Sequence, residues 1–184
     1  MRFAFLIPKI GFAAWLGTIV IIAGKYLIPL LIVPFPFAAG WANFVLDTID
    51  GDLLIPLGLE DPTYQPIDKA ADYVTYFFMA IAAYKGDWPI KKWILGFFIF
   101  RSIGQLLFFI TNNEIVFFYF PNFLEPLFLI YATILFFKKE EGHAVFMRRV
   151  IPISIFIFIY KMQDEYITHV GNVDRSDLIR DLFS

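Results

Sequence analysis

Six apolar runs, near residues 4–24, 26–46, 70–84, 90–111, 115–137 and 144–160, leave this 184-residue chain few ways to fold. Each approaches the ~20 residues that cross ~30 Å of hydrocarbon, although the third and sixth are short. Inside a bilayer no water satisfies backbone N–H and C=O groups, so only helices and closed barrels span it. The runs lack barrel-like alternation and predict helices. Composition agrees: the chain is 59% hydrophobic and 17% charged, with mean hydropathy +0.68. The expectation is an all-α integral membrane protein. It is a six-transmembrane-helix bundle forming a single membrane domain over 1–184, with a polar tail at 161–184. Met1-Arg2 precedes the first run with no small-residue cleavage site behind it, which predicts an uncleaved first span.

Several chemistries fall away. A net charge of −2 gives no basic field for nucleic acid. The absence of cysteine removes disulfides, thiolate metal sites and a Cys nucleophile. His143 and His169 are isolated from one another in polar segments. Ser102, Ser154 and Ser176 lack a nucleophile-elbow setting. Pro29, Pro34 and Pro36 predict a kinked or broken second span. The small residues Ala38, Ala39, Gly40 and Ala42 that follow allow close helix packing. Residues 51–67, with Pro56, Gly58, Pro62 and Pro66, predict a long loop.

Six of the eleven aspartates lie between Asp47 and Asp72. A carboxylate in such a chain must stay wet, be protonated or hold a cation. Asp47 and Asp50 are three apart at the end of one predicted helix. Asp68 and Asp72 are four apart at the start of the next. Both spacings put the pair on one helix face. If the two helices pack side by side, four carboxylates converge at a membrane boundary. Hard oxygen donors select Mg²⁺ or Mn²⁺, with Ca²⁺ a further candidate, over zinc. Room for two ions suits a diphosphate, and one Asp with spare basicity can accept a proton from an attacking hydroxyl. The bland alternative is a solvated acidic loop.

This register resembles the CDP-alcohol phosphotransferase family. Its motif is Asp-x2-Asp-Gly-x2-Ala-Arg-x8-Gly-x3-Asp-x3-Asp, between the second and third of six membrane helices. Asp47, Asp50, Gly51, Asp68 and Asp72 fall on it without a gap. The resemblance covers roughly residues 1–160 and marks a divergent member. It implies two divalent ions, Mg²⁺ or Mn²⁺, held by Asp47, Asp50, Asp68 and Asp72, with Asp72 also the catalytic base. It implies Gly51 beside a CDP-linked donor, and phospho-alcohol transfer in phospholipid synthesis at a bacterial or organellar inner membrane. The departures are Leu54 for Ala, Ile55 for Arg and Tyr64 for the second Gly. Larger side chains there would fill space that the cytidine uses.

Arg101 is the one arginine inside a predicted span. It either binds a substrate phosphate or carboxylate at the site, or snorkels, or pairs with Glu125. Asp52, Glu60 and Asp61 read as solvated loop acids, with Asp52 near enough for an outer ligand. The turns remote from the acids carry eight basic residues, Lys25 among them, against six on the acid side. That weakly opposes a cytoplasmic site. Three functions remain: a metal-dependent transferase, a non-catalytic relative, or an ion-binding channel. The relative would be a structural or lipid-binding subunit, as a homodimer or in a larger membrane complex. The channel is the weakest, because the acids sit at helix ends and not along a pore.

Overall fold

A computed structural model describes residues 11–59 and 61–171, without the side chains of residues 61, 62 and 169. Residues 4–10 of the first apolar run, Glu60 and the tail beyond residue 171 lie outside the described residues, as do the side chains of Asp61 and His169. Every regular element among the described residues is a helix, and the α-helices are α1 (Phe12–Leu27), α2 (Pro36–Leu54), α3 (Asp61–Lys85), α4 (Lys91–Thr111), α5 (Ile115–Tyr119), α6 (Leu124–Lys138), α7 (Gly142–Arg148) and α8 (Val150–Glu165). Among the described residues, two segments are long and apolar enough to cross a membrane, Phe12–Leu31 and Lys91–Thr111. A third span results if Leu124–Arg148 and Val150–Thr168, bent by 75°, act as one.

Proline sets several boundaries. The α-helical ladder of α1 gives way at Pro29 to a 3₁₀ turn over Ile28–Ile32, because proline has no N–H to donate. Pro36 then opens α2, where a missing donor costs nothing and φ is already helical. The loop predicted at 51–67 is shorter than expected. α2 runs on to Leu54 and α3 begins at Asp61, with Pro62 in its first turn and Pro66 inside it. The run predicted at 115–137 is two helices, α5 and α6, broken around Pro121. Asn112 closes α4 in the left-handed region at φ 51°, a conformation its short polar side chain tolerates.

The core lies where α3, α4 and α6 meet, filled by Met79, Ile94, Phe128 and Tyr131. Trp88 stacks on Phe128 with ring centroids 4.9 Å apart. Glycines set two close approaches. A Cβ on Gly40 would meet the Leu129 side chain at 3.1 Å, so α2 lies tight on α6. A Cβ on Gly104 would meet the Phe120 Cβ at 2.6 Å, so α4 lies tight on the chain between α5 and α6. A Cβ is fixed to its backbone and cannot swing aside. Gly104→Ala is therefore expected to destabilise the protein by about 1–3 kcal/mol, the usual range for overpacking. Thermal melting in detergent would read this as a lowered transition; Gly96→Ala, where nothing lies within 4 Å, is the control expected to melt as the parent does.

Candidate functional site

Helical periodicity builds two facing polar stripes. On α2, Asn43, Asp47 and Asp50 recur at intervals of four and three; on α3, Asp68, Asp72 and Thr75 do the same. α2 and α3 pack together, joined by the connection at 55–60. At one end of the stripe the Thr75 hydroxyl donates to Asn43 Oδ1 at 3.2 Å. At the other, the carboxylates of Asp47, Asp50 and Asp68 converge, each with an oxygen within 4.8 Å of the others'. Asp50, Asp68 and Asp72 are buried, while Asp47 is partly open.

The convergence point holds an ammonium group. Lys25 Nζ donates to Asp47 Oδ1 at 3.0 Å and also to Asp50 Oδ2 and Asp68 Oδ1. Gly24 helps to bring it there. A Cβ on Gly24 would meet the Leu46 side chain at 3.3 Å, so α1 lies close against α2 beside the acids. Lys25 thus leaves the remote turns to which its position in the sequence assigned it. It therefore no longer counts toward the basic residues of the remote turns, and the charge argument for sidedness weakens.

A second lysine completes the network. Lys69 Nζ donates to Asp68 Oδ2 at 2.8 Å and lies 3.7 Å from Asp72 Oδ2. Burial would push the Asp68 carboxyl up, but the ammoniums of Lys69 and Lys25 hold it down at about 2. Burial also pushes Asp50 up, against the pull of Lys25. Burial pushes the Tyr64 phenol up, as do the Asp68 and Asp50 carboxylates, so it stays protonated. Its hydroxyl donates to Asp50 Oδ1 at 3.0 Å.

Tyr64 also covers Gly51: a Cβ there would meet its hydroxyl oxygen at 3.3 Å. Leu54 is buried, and Ile55 points outward and is exposed. Asp52 is exposed as well.

Donor chemistry and spacing mean that Asp47, Asp50 and Asp68 could hold a metal ion. A divalent ion bonds carboxylate oxygens at about 2.0–2.6 Å. One oxygen of each, Asp47 Oδ1, Asp50 Oδ2 and Asp68 Oδ1, already converges on Lys25 Nζ, and an ion cannot share that point with the ammonium. As placed, those oxygens are taken by a cation that the chain itself supplies.

Arg101 belongs to a separate buried network. Its Nη1 donates to the Phe120 carbonyl at 2.7 Å and to Glu165 Oε1 at 3.3 Å, and its guanidinium lies 4.3 Å from the Phe117 ring centroid. Its charged partner is thus Glu165 on α8 and not Glu125. The same Glu165 oxygen accepts the Asn122 backbone N–H at 2.9 Å. Asn122 Nδ2 donates to Tyr76 Oη and to Glu125 Oε2 at 2.9 and 3.2 Å. Glu165 stood in the sequence as one acid of a polar tail. Its spacing of four from Lys161 is the signal that could have marked it as facing the bundle.

Compared with protein-family models, characterised proteins and solved structures, the chain gives no match.

Removing one partner of a buried ion pair strands the other. Glu165→Ala is expected to cost about 3–5 kcal/mol, because it leaves Arg101 uncompensated and the Asn122 amide unpaired. Glu165→Gln keeps an acceptor and is expected to cost less. Denaturant titration in detergent would show the ordering parent, Gln variant, Ala variant; equal stability of the parent and the Ala variant would refute it.

Proposed function

We propose that this chain is a six-span membrane protein of CDP-alcohol phosphotransferase type that has given up the transfer. In this reading it serves as a structural or lipid-binding subunit of a membrane assembly. Tyr64 carries the reading. In the family pattern that position and Gly51 are both glycines, which leaves room for a nucleotide beside the acids. Here the Tyr64 ring lies over Gly51 and its hydroxyl is bonded to Asp50. Leu54 is buried and Ile55 supplies no charge for a phosphate.

The surface suits lipid and helix contacts. Val20 on α1, Ile110 on α4, and Ile151, Phe156 and Phe158 on α8 are all well exposed. Between α2, α6 and α8 a largely apolar groove of about 150 Å³ is lined by Trp41, Phe44, Leu129 and Phe156, with Glu125 and Lys161 also on its wall. Such a groove accommodates part of an acyl chain.

One observation favours the transferase reading: the Asp47, Asp50 and Asp68 oxygens lie within 4.8 Å of one another. Asp72 follows Asp68 by one helical turn, where it would act as the base. Purified protein supplied with Mg²⁺ or Mn²⁺ and a set of CDP-linked alcohols separates the two. The expected result is no release of CMP above that of an Asp72→Asn variant. CMP release by the parent, lost in that variant, would establish the transferase and end the non-catalytic reading.

A further inference from the structure

The acid site has more cationic chemistry of its own than a metal site requires. An ammonium has three N–H donors and no acceptor. Lys25 places one donor on each of Asp47, Asp50 and Asp68, so its capacity is filled within the cluster. Its side chain is only 4% exposed, and a charge buried to that extent is costly without its opposite beside it. Lys69 stands between Asp68 and Asp72 in the same manner. Every one of the four carboxylates therefore has an ammonium against it, and Asp50 has the Tyr64 hydroxyl in addition.

We propose that Lys25 is the resident cation of this site, standing where a divalent ion would otherwise bridge α2 and α3. The chain then folds and holds its two helices together without metal. It also carries a latent metal site, opened by removing the amine, because the three oxygens would keep their spacing and lose their counter-charge. The proposal draws on the same acids as the proposed function, but metal binding tests it and turnover does not.

The experiment measures Mn²⁺ binding by calorimetry, and melting with and without Mn²⁺, in detergent. It compares the parent chain, Lys25→Met, Asp50→Asn and the double variant Lys25→Met/Asp50→Asn. The parent is expected to bind no Mn²⁺ at this site and to melt at the same temperature with chelator as with metal. Lys25→Met, which keeps the stem and removes the charge, is expected to melt lower. It should bind one Mn²⁺ at least tenfold more tightly than any residual Mn²⁺ binding elsewhere on the parent, and regain stability when it binds. The double variant, with one acid fewer, is expected to recover part of the loss without metal, as interacting neighbours do in a double-mutant cycle.

Mn²⁺ binding by the parent that Asp50→Asn removes would overturn the proposal. So would a Lys25→Met protein that melts like the parent and gains no Mn²⁺. If Lys25→Met does not accumulate folded, the double variant decides: folding supports the counter-charge role, and failure to fold overturns it.

Discussion

A buried charge has to meet its opposite, and around Lys25 that requirement ties three helices together. Its ammonium is bonded to Asp47 and Asp50 on α2 and to Asp68 on α3, from a stem on α1. None of the three helices could place its charges at this depth alone. In a medium without water an isolated ammonium or carboxylate is costly enough to be protonated, deprotonated or expelled. The positions of α1, α2 and α3 are thus mutually conditional. The small residue at Gly24 and the Thr75–Asn43 bond further along the stripe fall into place around that constraint. Such a cluster is better evidence for a specified arrangement than for great stability, since burial offsets much of the attraction between the charges.

The same principle organises the other half of the molecule with different residues. Arg101 on α4 needs acceptors. It finds them in the Phe120 carbonyl, freed where Pro121 interrupts the chain between α5 and α6, and in Glu165 on α8. Asn122 and Glu125 continue the polar path to Tyr76 on α3, four residues beyond Asp72. α3 therefore contributes to both networks. Between them lie the apolar contacts of Met79, Ile94 and Phe128, which need only shape and size. Two polar clusters fix which helices meet, and the apolar core fills the space between them.

Much of this was written plainly in the sequence, and the rest was hidden for a physical reason. The apolar runs announced helices, and the i, i+3 and i, i+4 spacing of the aspartates placed Asp47 with Asp50 and Asp68 with Asp72. Those are local relations, and helical periodicity reports local relations well. What escaped was Lys25, which lies 22 residues before Asp47 and 43 before Asp68. It read as a turn because a lysine between two apolar runs resembles a boundary. The helix in fact passes through it to Leu27. Glu165 escaped in the same way, hidden among the charges of a polar tail. In both cases the clue was a charge beside apolar helix with no local partner, and that predicts a distant one. The break at Pro121 and the early start of α3 at Asp61 were obscured because hydropathy does not register where a backbone donor is lost.

The cation that stands between Asp47, Asp50 and Asp68 decides how α1, α2 and α3 are held. An experimental structure from crystals grown in Mn²⁺, with anomalous data at the manganese edge, reads that atom directly. The expected result is density for the Lys25 side chain reaching all three carboxylates and no anomalous peak among them. An anomalous peak bridging the three aspartates, with Lys25 turned away, would contradict it.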